Sequence, residues 1–357
     1  MSNQKNILIY RLGSLGDTVI ALPVFHKILE QYPDVENITL LTNKPVASMA
    51  APLEAVLGKG LFFKDTLTYP VGTRNPILLA KLIGEIRKRK IHTVINITAL
   101  RSPNADRRDK LFFKSAGVKE FIGFENRPED FKVNIDPETG FFEWETARLA
   151  RKISVLGSFN YNDDKYWDLK LSQDEINRGK ELLSGLKADT PFIAINVGTK
   201  MPIKDWGIEN WVDLVSGLSD EYREYSLVVI GVEEEKTLAE NCLDVWKGNG
   251  LNLCGKSSPR VSAAILEKAS LFIGHDSGPM HLAACMGTPC VAVFSCINQP
   301  RQWFPRGENN RVIMPNTACV SSGKKECSSP SEKCILTITP EEVQNVVAEV
   351  INKTVLK

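Results

Sequence analysis

The sequence predicts an α/β protein of two Rossmann-like halves, each a parallel sheet layered by helices, and three observations predict it. Length is the first: 357 residues exceed the roughly 250 at which a single core usually stops growing, so two domains are expected. The second is the alternation of short, continuous apolar runs with amphipathic stretches, the pattern of strands buried on both faces between covering helices. The third is that this pattern is interrupted once, by the polar and aromatic stretch GSFNYNDDKYWDL at 157–169, and then restarts. That stretch reads as the linker. It sets an N-terminal domain at 1–165, a second domain at 166–339 and a closing helix at 340–357.

The run NILIY at 6–10 reads as the opening strand, RLGSLGD supplies a glycine-rich turn, and 18–32 is amphipathic with helical period. Strands follow at 38–42 and 93–97, with a helix at 76–89 between them. The second half begins with a helix at 173–186, a strand FIAINV at 192–197, a helix at 208–218 and a strand SLVVIG at 226–231. A helix ending near 247 and a short strand at 251–253 come next. A helix at 261–268, strand SLFIGH at 270–275, helix at 280–286, strand CVAVFS at 290–295 and a last helix at 340–351 complete the pattern. Open parallel sheets bind ligands beyond the carboxyl ends of their strands. The loops following the strands, in a cleft between two facing sheets, are therefore where site residues are expected.

Composition narrows the classes of function. A formal net charge of +1 gives no global attraction to nucleic acid. No apolar run reaches the ~18–20 residues that span a bilayer, and the first six residues lead into a strand without a signal-peptide core, so a cytoplasmic location is expected. The eight cysteines include no Cys-x-x-Cys pair and fit reduced thiols. Cys319, Cys327 and Cys334 are spaced too widely for a recognised zinc pattern, and no metal or cofactor is expected.

Four loops carry the candidate chemistry. Gly13-Ser14-Leu15-Gly16-Asp17 lies between a strand end and a helix start, but its G-x-x-G-D spacing is not the dinucleotide fingerprint. Asp17 reads either as a carboxylate stabilised by a helix N-terminus or as a general base for an acceptor hydroxyl. Asp276-Ser277-Gly278-Pro279-Met280 follows another buried strand. It is either an ordinary capped helix start or a diphosphate site made of backbone N–H groups and the Ser277 hydroxyl. His281, in the first turn of that helix, is a supporting residue. The loop from Gly198 to Trp206 offers the Thr199 hydroxyl and the Lys204 ammonium to a phosphate, unless Lys204 is simply solvated. Glu235, four residues beyond Gly231, suits a ribose hydroxyl pair or a helix dipole equally. Basic residues crowd 87–90, where a solvated helix face is the simple reading, and 101–110, where Arg101 and Arg107 could meet an anionic acceptor.

The pairing of ILIYRLGSLGDTVIALPV with a later FIGHDSGPMHLAACMGTPCVAVF resembles family 9 glycosyltransferases, the lipopolysaccharide heptosyltransferases and their relatives. Lys204-x-Trp206 and the Gly231-to-Glu235 spacing extend the resemblance over nearly the whole chain. It implies a GT-B fold and inverting, metal-independent transfer from a nucleotide-sugar donor. Asp17 matches the family's base. Asp276, Ser277 and Gly278 match its diphosphate segment, Thr199 and Lys204 its phosphate contacts, Glu235 its ribose contact, and Ser257 its adenine-side loop. Gly13, Ser14 and Gly16, with Arg101 and Arg107, are then the expected acceptor contacts. The implied partners are a nucleotide-diphosphate sugar, heptose from ADP-heptose, and an anionic glycolipid or glycan acceptor, with peripheral contact at the inner membrane and no nucleic acid. Three alternatives stay open: Ile20-Ala21-Leu22-Pro23 replaces the histidine that often precedes Leu-Pro in the prototypes, which fits a non-heptose sugar in O-antigen or capsule synthesis; the chain is a nucleotide-sugar epimerase or hydrolase on the same scaffold; or it binds nucleotide sugars without catalysis.

Overall fold

The computed structural model describes residues 5–44, 51–124, 131–187, 190–297, 299–315 and 333–355. The chain divides into two compact units, Met1–Lys170 and Leu171–Lys357. Among the described residues no helix is long and apolar enough to cross a membrane.

The first unit holds strands β1 (Asn6–Tyr10), β2 (Ile38–Asn43), β3 (Asp65–Tyr69), β4 (Ile91–Asn96) and β5 (Glu120–Ile122), and helices α1 (Leu15–Ile20), α2 (Leu22–Gln31), α3 (Leu53–Leu57), α4 (Pro76–Lys88), α5 (Pro103–Ser115) and α6 (Glu145–Lys152). Its sheet is parallel, in the order β3-β2-β1-β4-β5. Residues 7–10 of β1 are all buried, which is why the central strand reads as an unbroken apolar run rather than an alternation. Leu82 and Ile86 of α4 and Phe113 of α5 share one core cluster with Leu8, Tyr10 and Leu41, so both helices cover the same face of the sheet.

The single helix expected at 18–32 is two helices. Pro23 has no N–H to give the Val19 carbonyl, so the ladder breaks at Ala21, whose carbonyl takes the N–H groups of Val24 and Phe25 instead. The Ile20 carbonyl left over by this break accepts the Thr146 hydroxyl at 2.7 Å. Helix α5 was not expected at all, because its sequence is dominated by charge. Ser102 accepts the Ala105 N–H and Pro103 fixes the first turn, the same cap-and-proline start that Asn75-Pro76 gives α4.

The stretch at 157–169 is not a free linker. Tyr166, Trp167 and Leu169 are buried; the Tyr166 hydroxyl donates to Glu30 at 2.8 Å, the His26 ring donates to the Asp168 carbonyl at 2.7 Å, and Trp167 stacks on Trp144. Its aromatic residues pack onto the first unit, which ends with Lys170.

The second unit comprises α7 (Gln173–Leu182), β6 (Phe192–Asn196), α8 (Ile208–Glu221), β7 (Ser226–Val229), α9 (Lys236–Val245), β8 (Gly250–Asn252), α10 (Pro259–Leu266), β9 (Leu271–His275), α11 (Gly278–Cys285), β10 (Cys290–Val293), β11 (Arg311–Ile313) and α12 (Pro340–Val355). Its six strands are parallel in the order β11-β10-β9-β6-β7-β8. Val343 and Val347 of α12 share a core with Trp206 and Trp211, so the last helix is part of this unit. In both sheets the chain order reverses beside the first strand, between β1 and β4 and between β6 and β9. These switch points open crevices at the strand ends.

Candidate active site

Each unit gathers part of its candidate set at its own switch point. In the first, Gly13 follows β1 with φ +145°, and a Cβ there would lie 2.4 Å from that of Asp17, so the turn closes only around glycine. Its N–H donates to Asn43 Oδ1 at 2.8 Å. Asp17 stands in the first turn of α1, where its Oδ2 accepts the Ser14 N–H at 2.9 Å and the Ser14 hydroxyl at 3.1 Å. The capping role is therefore real. It occupies one oxygen, and the side chain remains 27% exposed, so a proton acceptor is still presented to solvent.

Beneath this turn lies Arg11, fully buried, donating to the Ile97 and Asp17 carbonyls and standing 3.9 Å from Asp17 Oδ1. Burial lowers its proton affinity while Asp17 and Glu145 oppose that. Glu145 pairs with buried Arg148, which also donates to the Thr98 carbonyl, so α6 is tied to the turn after β4 and, through Thr146, to the end of α1. Gly16 is buried within α1. Arg101 is held by Asp109 and by the Tyr10 hydroxyl, whereas Arg107 is exposed on α5.

In the second unit, Lys204 is 14% exposed and its ammonium lies 2.5 Å from Asp276 Oδ2, which excludes the solvated-lysine reading. Two buried neighbours aim it. Ile203 is in the core, and Trp206 donates its indole N–H to the Ile338 carbonyl and its backbone N–H to His275 Nε2 at 3.1 Å. His275 closes β9 fully buried against Trp211, and burial pushes its imidazole down to about 4.

Ser277 starts α11 without a side-chain capping bond; its hydroxyl donates to Asn196 Oδ1 at 3.4 Å instead. Helix N-termini whose N–H groups are not capped attract anions. The arrangement therefore offers an ammonium, a hydroxyl and a helix N-terminus to a phosphate, beside the Thr199 hydroxyl, which accepts the Met201 N–H at 3.3 Å. Glu235 is 7% exposed, its Oε2 accepting from Val232 N–H and Asn196 Nδ2, and burial raises its proton affinity against these two bonds. A Cβ on Gly198 would stand 1.9 Å from its Oε1, so a larger residue there would have to displace the Glu235 carboxylate. Ser257 shares a hydrogen bond with Ser262 at 2.7 Å, and the buried His281 ring lies 6.4 Å from Trp303.

Three residues of this chemistry were not anticipated: Arg11, Asn96 and Asn196. The signal was present, since β4 and β6 are apolar runs that close on a buried asparagine and β1 is followed at once by arginine. Among the described residues no group of three His, Cys, Asp or Glu side chains could hold a metal. Cys319 and Cys327 lie outside those residues, and Cys334 Sγ accepts the Cys296 N–H at 3.3 Å.

A family model described as glycosyltransferase family 9 (heptosyltransferase) matches residues 135–333, more than half of the chain. The lipopolysaccharide core heptosyltransferase OpsX of Haemophilus influenzae is 23% identical over 337 residues, 92% of this chain and 89% of its own. Among solved structures, the family 9 glycosyl transferase of Veillonella parvula superposes with a TM-score of 0.71 at 17% identity, covering 99% of both chains. The E. coli ADP-heptose lps heptosyltransferase II gives 0.62 at 17% identity, covering 98% of this chain and 99% of its own.

Proposed function

From the premise that the chain belongs to glycosyltransferase family 9 and is a glycosyltransferase of GT-B fold, we propose that it moves heptose from ADP-heptose to a lipopolysaccharide core or related surface-glycan acceptor, with inversion and without metal. The observation that carries this reading is the pairing of the half-buried Lys204 ammonium with the uncapped start of α11 at one switch point. The names of OpsX and of the E. coli neighbour support the sugar and the acceptor class.

Asp17 is the general base: Oδ2 is held by Ser14, and Oδ1 takes the proton of the acceptor hydroxyl as that oxygen attacks the anomeric carbon. The bond to the diphosphate breaks on the opposite face. Lys204, Thr199, Ser277 and the Gly278 N–H stabilise the charge that collects on the leaving diphosphate. Glu235 and Ser257 face the nucleoside, Asp276 and His281 support the phosphate cradle, and Gly13, Ser14, Gly16 and Arg101 receive the anionic acceptor, while Arg107 lies on the outer side of α5. A lipid-linked acceptor would put this reaction, in the cytoplasm, at a membrane surface.

Thermal stabilisation by ADP, GDP, UDP, CMP and NAD, each with and without EDTA, tests the donor side, since a ligand at ~100 times its dissociation constant adds ~2.7 kcal/mol. The expected result is stabilisation by ADP that EDTA leaves unchanged. Preference for GDP or UDP would replace the sugar, and stabilisation by NAD alone, or only without EDTA, would overturn the reading.

A further inference from the structure

The layer formed by α4 and α5 is unlike the rest of the molecule. Between residues 71 and 119 the sequence carries twelve Lys or Arg against three Asp or Glu, in a chain whose net charge is only +1. Two of the three carboxylates pair with cations of the same stretch, which leaves an excess of nine positive charges. Glu85 is held by Arg89, Asp109 by Arg101 and Arg108, and Asp106 is buried, accepting from Asn96 at 3.1 Å.

The same layer exposes apolar side chains. Five of the nine exposed large hydrophobic residues among the described ones fall in this stretch, with Ile77 at 77% and Leu111 at 60% exposure. Their positions are ordered. Ile77, Lys81 and Lys88 recur at i, i+4 and i+11 along α4, and Arg107, Leu111 and Lys114 at i, i+4 and i+7 along α5, each on one stripe and all exposed. Because Leu82, Ile86 and Phe113 turn inward into one core cluster, the two stripes share one outer surface.

We propose that this α4–α5 surface docks on an anionic phospholipid bilayer, with the lysines at the headgroups and Ile77 and Leu111 entering the headgroup and acyl boundary. Charge selects the occupant. A second copy of the chain would bring like charge against like charge, and a nucleic acid would gain nothing from Ile77 or Leu111, whereas an anionic leaflet takes both. The inference names a surface for the membrane reading given above, and it does not depend on which sugar is transferred.

The test is co-sedimentation of the full chain with phosphatidylcholine vesicles and with phosphatidylcholine–phosphatidylglycerol vesicles, at low and high salt, without donor or acceptor. Binding is expected to the anionic vesicles only, and to weaken with salt. Each lysine neutralised should weaken it about fivefold, so Lys81→Ser/Lys88→Ser/Lys114→Ser together cost about 100-fold, and Ile77→Ser/Leu111→Ser at least about tenfold. All five positions are exposed, and melting temperatures of both variants check that the fold is kept. Equal binding to neutral vesicles, no binding to either, or binding that neither variant changes would overturn the proposal. So would a concentration-dependent dimer that the variants dissolve. Because donor and acceptor are omitted, failure here leaves nucleotide recognition untouched, and failure of nucleotide recognition leaves vesicle binding untouched.

Discussion

Acidification should loosen the Lys204 loop through His275. The ring is fully buried at the end of β9, and its Nε2 accepts the backbone N–H of Trp206, two residues beyond Lys204. A protonated ring carries hydrogen on both nitrogens, so it can neither accept that bond nor find solvent for its charge. Burial, opposed by Asp205 and the Gly198 backbone and helped by Lys204 and Lys333, holds the imidazole down to about 4 from its ordinary 6.5. The folded chain then binds fewer protons than the unfolded chain between these values. Its share of stability is complete above pH 6.5 and is lost as pH falls toward 4. A displacement of that size corresponds to roughly 3 kcal/mol, of which about 2 kcal/mol is gone by pH 5. Denaturant unfolding followed by tryptophan fluorescence, on the parent and on His275→Gln, isolates the effect. Glutamine keeps a neutral acceptor near Nε2, and every other titration is common to both chains. The parent should lose about 2 kcal/mol relative to the variant between about pH 7 and pH 5. Parallel curves would refute the reasoning.

Asp17→Asn keeps an oxygen for the Ser14 N–H but cannot take a proton, so turnover should fall at least about 100-fold while ADP-induced stabilisation is unchanged; parental turnover would remove Asp17 from the base role. Lys204→Met keeps the stem, breaks the ion pair with Asp276 and removes a donor to phosphate, so ADP affinity measured by calorimetry should fall by about 10- to 100-fold. Adding Asp276→Asn should restore melting temperature but not affinity, and undiminished ADP binding would sink the phosphate role.

Strands buried on both faces were the most legible elements, since β1, β4, β6, β9 and β10 are apolar runs that no helix period explains. The missed strands β3, β5 and β11 lie at sheet edges, where half-exposed residues such as those of Asp65–Tyr69 dilute the apolar signal. The site was legible where chemistry sits on a glycine turn, as at Gly13 and Gly198. It was illegible where a polar group acts from inside. Arg11 reads as one more basic residue until the fold buries it, and nothing local says that Trp206 and His275 meet across 69 residues to aim Lys204. The stretch at 157–169 runs to the end of the first unit, and what its composition does not tell is that Tyr166 and Trp167 are buried.

Among the described residues three of the four sheet edges, β5, β8 and β11, are strands of only three residues. Parallel sheets assemble through distant pairings, and during that interval open strands are exposed to neighbouring chains. Three residues offer too short a ladder for a foreign strand to extend. The longer β3 begins at Asp65, whose carboxylate binds Arg89 at the rim and places charge where a flat apolar edge would recruit. The sheet margins thus give a foreign strand little to extend, and the turns at the sheet centres can change specificity without opening an edge.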